Sequence, residues 1–322
     1  MGKILPSVKI GISSCLLGEQ VRFDGGHKRD SFLVQTLGIF VNWCPVCPEV
    51  ELGLGTPRES IRLLRDQKEA ETLRLVAPKS GRDFTARMRR YAKRRTRELI
   101  KEDLSGYILK KDSPSCGMKR VKIWQNKGRA ERKGRGLFAE ELLRQFPNMP
   151  VEEEGRLNDP RLRENFIDRI FMYRRIRSFL SSRWNVGNLV AFHTKHKLTL
   201  MAHSIEGYRD LGRLVAEAKA IPRIELSRRY EDEFMHAMRK LASRAKHTNT
   251  LQHASGHLKK LLDTFSRKEL SDIIENYRAG LIPLVVPLTL IRHHARRLEV
   301  NYLLDQHYLQ PELEELMLRN HV

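Results

Sequence analysis

Short apolar runs separated by polar breakers dominate the first half of the chain. "VKIGISS" (8–14), "IFVNWCPV" (39–46) and "GYILKK" (106–111) have the length and β-branched content of buried strands. "IRLLR" (61–65) and "TLRLVAP" (72–78) are weaker runs of the same type. Between them, Phe84 to about Leu104 repeats apolar residues at helical spacing, with Asp83 placed to cap it and Gly106 to stop it. A shorter helix, "LFAEELLRQF", ends at Pro147. Strands alternating with helices predict an α/β domain: a mostly parallel, Rossmann-like sheet with flanking helices, whose binding loops lie at the carboxyl ends of the strands.

The pattern then changes. "PNMPVEEEGRLNDP" (147–160) is polar and carries three prolines, so residues 1–150 are expected to form one domain and residues 151–160 a linker. From residue 161 to 322, seven segments show apolar residues at helical spacing with breakers between them, from "LRENFIDRIFMYRRIRSFL" to "LVVPLTLIRHHARRLEV". That half is expected to be all-α. A length of 322 residues is in keeping with two domains.

Charge narrows the partners. The net charge is +21, and the excess lies mainly in residues 1–150, where 31 basic side chains face 17 acidic ones. "ARMRRYAKRRTRELIK" (86–101) and "KRVKIWQNKGRAERKGR" (119–135) each hold eight Lys or Arg against one Glu. Arg89, Arg90, Lys93 and Arg94 of the first run, and Lys119, Arg120 and Lys122 of the second, are candidate phosphate contacts, because neutralising phosphates releases counterions. No uncharged apolar stretch approaches the roughly 20 residues of a membrane span, and "MGKILPSVKIGISSCLLG" does not read as a secretory leader. A cytoplasmic location is the expectation.

Four cysteines are too few for a disulfide framework, which leaves them as thiols for metal or catalysis. Cys15, Cys47 and Cys116 each follow a predicted strand, and Cys44 precedes Cys47 in "CPVC". Zinc would need all four brought together by the fold, and a redox dithiol would use "CPVC" alone. Three cysteines from three separate loops suit an iron–sulfur cluster with one iron left open to a substrate atom. Near the first of them, "RFDGGHKRD" offers Arg22, Lys28 and Arg29 with glycines that allow close approach to a phosphate. In the helical half, His193, His196 and His203 are expected to serve core packing and RNA-backbone contact rather than metal binding.

Three ordered blocks carry a specific resemblance. "SSCLLGEQVRFDGG" (13–26), "CPEVELGLGTPRE" (47–59) and "LKKDSPSCG" (109–117) resemble those of the bacterial thiouracil desulfidase family. "FHTKHKLTLMAHS" and "YRAGLIPLVVPLTLI" resemble the YbgA-like domain often fused behind it, an arrangement similar to that of tRNA 4-thiouridine desulfidases. The resemblance implies a 4Fe-4S cluster held by Cys15, Cys47 and Cys116, with Cys44 outside the motif. It further implies Glu49 as catalytic acid and base, Ser113 as catalytic serine, and tRNA as the partner, with 4-thiouridine returned to uridine and hydrosulfide released without net redox change. Two other readings stay open on the sequence: desulfuration of free thiouracil or thio-nucleotides, and a non-catalytic RNA-binding protein with a structural metal site.

Overall fold

Val8–Ser13 (β1) is buried along nearly its whole length, as a strand covered on both faces must be. In the computed structural model, which describes residues 8–65, 72–125 and 129–310, this strand is central to a parallel sheet. Val41–Val46 (β2) lies on one side of it and Gly106–Leu109 (β5) on the other, with Ser13 beside Val46 and Ile12 beside Ile108. The outer neighbour of β5 is Val151–Glu153 (β8), so part of the segment expected to be a linker instead completes the sheet. The chain divides into two units after Asp159.

A second, mixed sheet accompanies the first. Arg62–Arg65 (β3) pairs antiparallel with Leu73–Val76 (β4) and parallel with Val121–Trp124 (β6), and β6 pairs antiparallel with Ala130–Gly134 (β7). The basic run 119–135 therefore contains two paired strands. In β6, Val121 and Ile123 are buried and Lys122 is exposed, which is the period of a half-buried strand. Thr85–Ile100 (α2) buries Met88, Tyr91, Ala92, Thr96 and Leu99, which leaves Arg89, Arg90, Lys93 and Arg94 exposed on the opposite face. Its cap is Phe84, while the Asp83 carboxylate accepts a hydrogen bond from the Thr85 N–H at 2.8 Å. Leu137–Gln145 (α3) packs beside α2.

The second unit is helical. Pro160–Ser181 (α4), Val186–His203 (α5), Ile205–Ala216 (α6), Arg223–Met238 (α7), Arg244–Gly256 (α8), Thr264–Ala279 (α9) and Val285–Arg297 (α10) fall on the seven expected segments, although α8 begins before the one at 250–265 and ends inside it. Asn185 and Asn188 form a reciprocal capping pair at the start of α5, and Ser204, Ser243 and Asp263 cap α6, α8 and α9. Leu198, Leu251, Leu258, Ile274, Leu288 and Ile291 lie in one shared apolar core.

The histidines of α5 belong to the interior and do not reach an RNA backbone. His193 and His196 are 2% and 1% exposed. His193 Nδ1 lies 3.2 Å from the Tyr230 hydroxyl, and His196 donates from Nδ1 to the Phe192 carbonyl at 2.7 Å. Burial drives the pKa of His193 down to about 4 and that of His196 well below its usual value, so both rings are neutral. An unfolded chain would take up protons at these sites near pH 6.5, whereas the folded chain does not. Stability is thus retained above that pH and falls as the solution is acidified toward 4, by at most about 1.4 kcal/mol per pH unit for each ring. Thermal melts between pH 7 and 5 should show a falling midpoint, less steep in a His193→Asn, His196→Asn variant; equal slopes would contradict the assignment.

Candidate active site

The carboxyl ends of β1 and β5 form a topological switch point, because the chain leaves β1 toward β2 on one side and leaves β5 toward β8 on the other. Three loops meet there. After β1 the backbone turns through Ser14–Leu16, and the following excursion folds back so that the Lys28 and Asp30 N–H groups donate to the carbonyls of Cys15 and Leu16, both at 2.9 Å. After β2, Cys47 caps the short helix Pro48–Glu51 (α1), whose first position is held by proline. Tyr91 and Arg95 of α2 fix α1 by binding Glu51, at 2.7 and 2.9 Å.

After β5 comes the loop holding Ser113 and Cys116, which serves as the cap of α3. The helix has no capping side chain. Its free N–H groups at Leu137, Phe138 and Ala139 donate instead to the carbonyls of Pro114 and Ser115, at 3.0–3.3 Å. Gly136 is required for this approach, since a Cβ there would lie 2.4 Å from the Ser115 backbone.

The loops enclose a cavity of about 370 Å³ whose lining includes Cys15, Cys47, Cys116, Glu49, Ser113 and Lys28. Burial pushes the Cys15 thiol up to about 11 and the Cys116 thiol far above its ordinary value; Cys47 is also raised by burial, opposed by the backbone N–H groups of Val50 and Glu49. Raised in this direction, the thiols hold their protons at neutral pH, and a metal must displace them. Cys44 is not among the lining residues. It is buried in β2, where its charged neighbours are Glu102, Arg95, Lys9 and Glu51. Among the described residues no three His, Cys, Asp or Glu side chains are grouped to share one metal ion. A cluster does not need such grouping, because each thiolate binds its own iron.

Glu49 is held from two sides. Arg58 grips Oε2 through Nε at 3.1 Å and Nη2 at 2.6 Å, and its remaining Nη1 donates to the carbonyls of Val21 (2.9 Å) and Gly55 (2.8 Å). The two side chains are only 6% and 14% exposed. On the other side, the fully buried Ser115 donates from Oγ to Glu49 Oε1 at 2.7 Å, and its oxygen lies 2.9 Å from Ser113 Oγ. Ser113 Oγ accepts from the N–H groups of Cys116 (3.1 Å) and Ser115 (3.3 Å). With a carboxylate that only accepts, the hydroxyl protons have one order, Ser113 to Ser115 to Glu49.

Among the residues expected from sequence, the cavity brings together Cys15, Cys47, Cys116, Glu49, Ser113, Arg22 and Lys28. Arg29 is exposed and packs along Gly18 without lining it. Arg89, Arg90, Lys93 and Arg94 lie on the exposed face of α2, where three of them border a shallow groove with Arg97, and Lys119, Arg120 and Lys122 are exposed at the start of β6. Sequence reasoning gave no part in the site to Ser115, which links Ser113 to Glu49, or to Arg58, which grips the carboxylate. The signal for Ser115 was its place in "SPSCG" beside a candidate ligand; the signal for Arg58 was a lone arginine in the glycine-rich "GLGTPRE".

Two family models match separate parts of the chain. Residues 10–154 match the model of the 2-thiouracil desulfurase family, and residues 197–312 match DUF1722, a protein family of unknown function. The chain thus carries a thiouracil desulfurase domain followed by a DUF1722 domain. Over 155 residues it is 28% identical to the Escherichia coli (strain K12) protein YbgA, covering 48% of this chain and 92% of the relative. A solved structure of the 4Fe-4S-dependent thiouracil desulfidase TudS is 31% identical, with a TM-score of 0.39, over 48% of this chain and 95% of that one.

Proposed function

We propose that the chain is an iron–sulfur desulfidase that converts 4-thiouridine in tRNA to uridine. The observation that carries this reading is the convergence of Cys15, Cys47, Cys116 and Glu49 on one cavity, within the span that matches the 2-thiouracil desulfurase family. The donor set fits a 4Fe-4S cluster: three thiols from three loops, two of them buried, with α1 N–H groups facing Cys47. Bound by three thiolates, such a cluster would supply an open iron that attracts the sulfur of a thiolated pyrimidine.

The protein's own residues manage the protons. Exchange of C=S for C=O consumes one water and releases hydrogen sulfide or hydrosulfide, so no external oxidant or reductant enters. Glu49 is positioned by Arg58 and Ser115 to take a proton from the attacking water and return it to the departing group. The Ser113 hydroxyl, at the cavity wall, connects to Glu49 through Ser115. Partial burial of the Arg58–Glu49 pair keeps the carboxylate in one orientation, which a proton carrier needs on both halves of the cycle.

The macromolecular substrate is inferred from charge. A free thiobase would have no use for a net charge of +21 or for the exposed cationic row on α2. The test is to incubate anaerobically reconstituted protein with bulk thiolated tRNA and analyse the nucleosides. Loss of 4-thiouridine with a matching gain of uridine and sulfide is expected, with activity falling steeply as salt rises. Persistence of 4-thiouridine while free thiouracil is consumed would assign the small-molecule substrate instead.

A further inference from the structure

We propose that Phe23 is the stacking platform for the substrate's pyrimidine ring and gives the cavity its preference for an aromatic base. The inference rests on the desulfidase reading above. Phe23 is 41% exposed although it lines the cavity that holds the three thiols. The other large apolar side chains exposed among the described residues of this unit, Ile39 and Ile100, do not line it. The part of the ring left in water at the cavity is apolar area that a planar aromatic partner would cover.

Its presentation is rigid. The turn Arg22–Gly26 is closed by the Gly25 N–H donating to the Arg22 carbonyl at 3.0 Å and the Arg22 N–H to the Gly26 carbonyl at 3.3 Å. Gly25 is left-handed, with φ +77°, and the Gly26 N–H donates to the Asp24 carboxylate at 3.1 Å. The Phe23 carbonyl accepts from the Arg58 N–H at 2.9 Å. Arg58 thereby holds both the ring, through its backbone, and the Glu49 carboxylate, through its guanidinium. One residue thus ties the backbone of the aromatic side chain to the proton carrier.

The surroundings match a nucleotide. The Arg22 guanidinium lies 5.4 Å from the Phe23 ring centroid and pairs with Asp24 at 3.4 Å, yet it has five N–H donors, more than that carboxylate satisfies. Lys28 and Lys111 also line the cavity and add positive charge to it. A planar base over the phenyl ring, with its phosphate toward these cations, uses both features.

Phe23→Ala and Phe23→Leu in the full-length protein should weaken binding of 4-thiouridine 5′-monophosphate by about 5- to 150-fold, the range for losing one stacked base, with iron content unchanged. Phe23→Trp should bind at least as well as the parent. In the metal-free Phe23→Trp protein, 4-thiouridine 5′-monophosphate should quench fluorescence in excess of the wild-type signal, whereas ribose 5-phosphate should not. Wild-type affinity in both the Ala and Leu variants, or equal quenching by the sugar phosphate, would overturn the inference. If base binding depends on Phe23 but wild-type protein leaves every thiolated substrate intact, the platform stands and the desulfidase reading fails.

Discussion

Replacing Cys116 with alanine is expected to strip the chain of iron while leaving it folded. Cys116 is 5% exposed at the end of the loop that caps α3, and the α3 contacts come from backbone carbonyls of Pro114 and Ser115, which the substitution leaves in place. Loss of one buried sulfur should cost on the order of 1 kcal/mol of stability. Loss of one of three thiolates is far more serious for the cluster. Groups that merely orient a ligand are worth about 10–100-fold in metal affinity, so a missing ligand should exceed about 100-fold. Iron per chain and the visible absorbance of anaerobically reconstituted protein measure this, with circular dichroism as the check on folding. Cys44→Ala is the matched control and should keep its iron, because Cys44 sits among Lys9, Arg95 and Glu102 away from the cavity wall. If instead Cys44→Ala loses iron and Cys116→Ala retains it, the ligand set proposed above is wrong.

Glu49→Gln should separate chemistry from cofactor. Glutamine keeps the shape and a hydrogen bond with Ser115 but has no proton to cycle, so turnover is expected to fall about 10²- to 10⁴-fold with iron content intact. The companion change is Arg58→Lys. Lysine preserves the positive charge but not the two-point grip on Oε2 or the simultaneous bonds to Val21 and Gly55. Its turnover should lie between wild type and Glu49→Gln. Nearly wild-type turnover for Glu49→Gln would remove Glu49 from the proton route and shift attention to the Ser113–Ser115 pair.

Local patterns carried much of this fold. The helical spacing of α4 to α10 and the apolar runs of β1, β2 and β5 are properties of contiguous residues, and burial of those residues is what the tertiary structure then supplies. Three strands escaped: β6, its partner β7, and β8. β6 was masked by its charges, because Lys122 and its neighbours dominate the composition although Val121 and Ile123 alternate inward. β8 was masked by length: three residues, two of them glutamate, form a strand because β5 offers an unpaired edge, and no local propensity announces that. The histidines of α5 show the same limit from the other side, since helical spacing alone cannot say whether an imidazole meets water or a core.

The sequence by itself determined the two-part architecture, the identity of the cysteines that follow strands, and the surplus of positive charge, since each depends on residue type and order along one stretch. Only the tertiary structure decided which groups share a cavity. It set Cys15, Cys47 and Cys116 at one switch point and Cys44 apart from it, put Ser115 between Ser113 and Glu49, and gave Arg58 both the carboxylate and the backbone of Phe23. Those relations join residues as far apart as Cys15 and Cys116, and they arise because parallel strands in one sheet present their carboxyl-end loops to the same point in space.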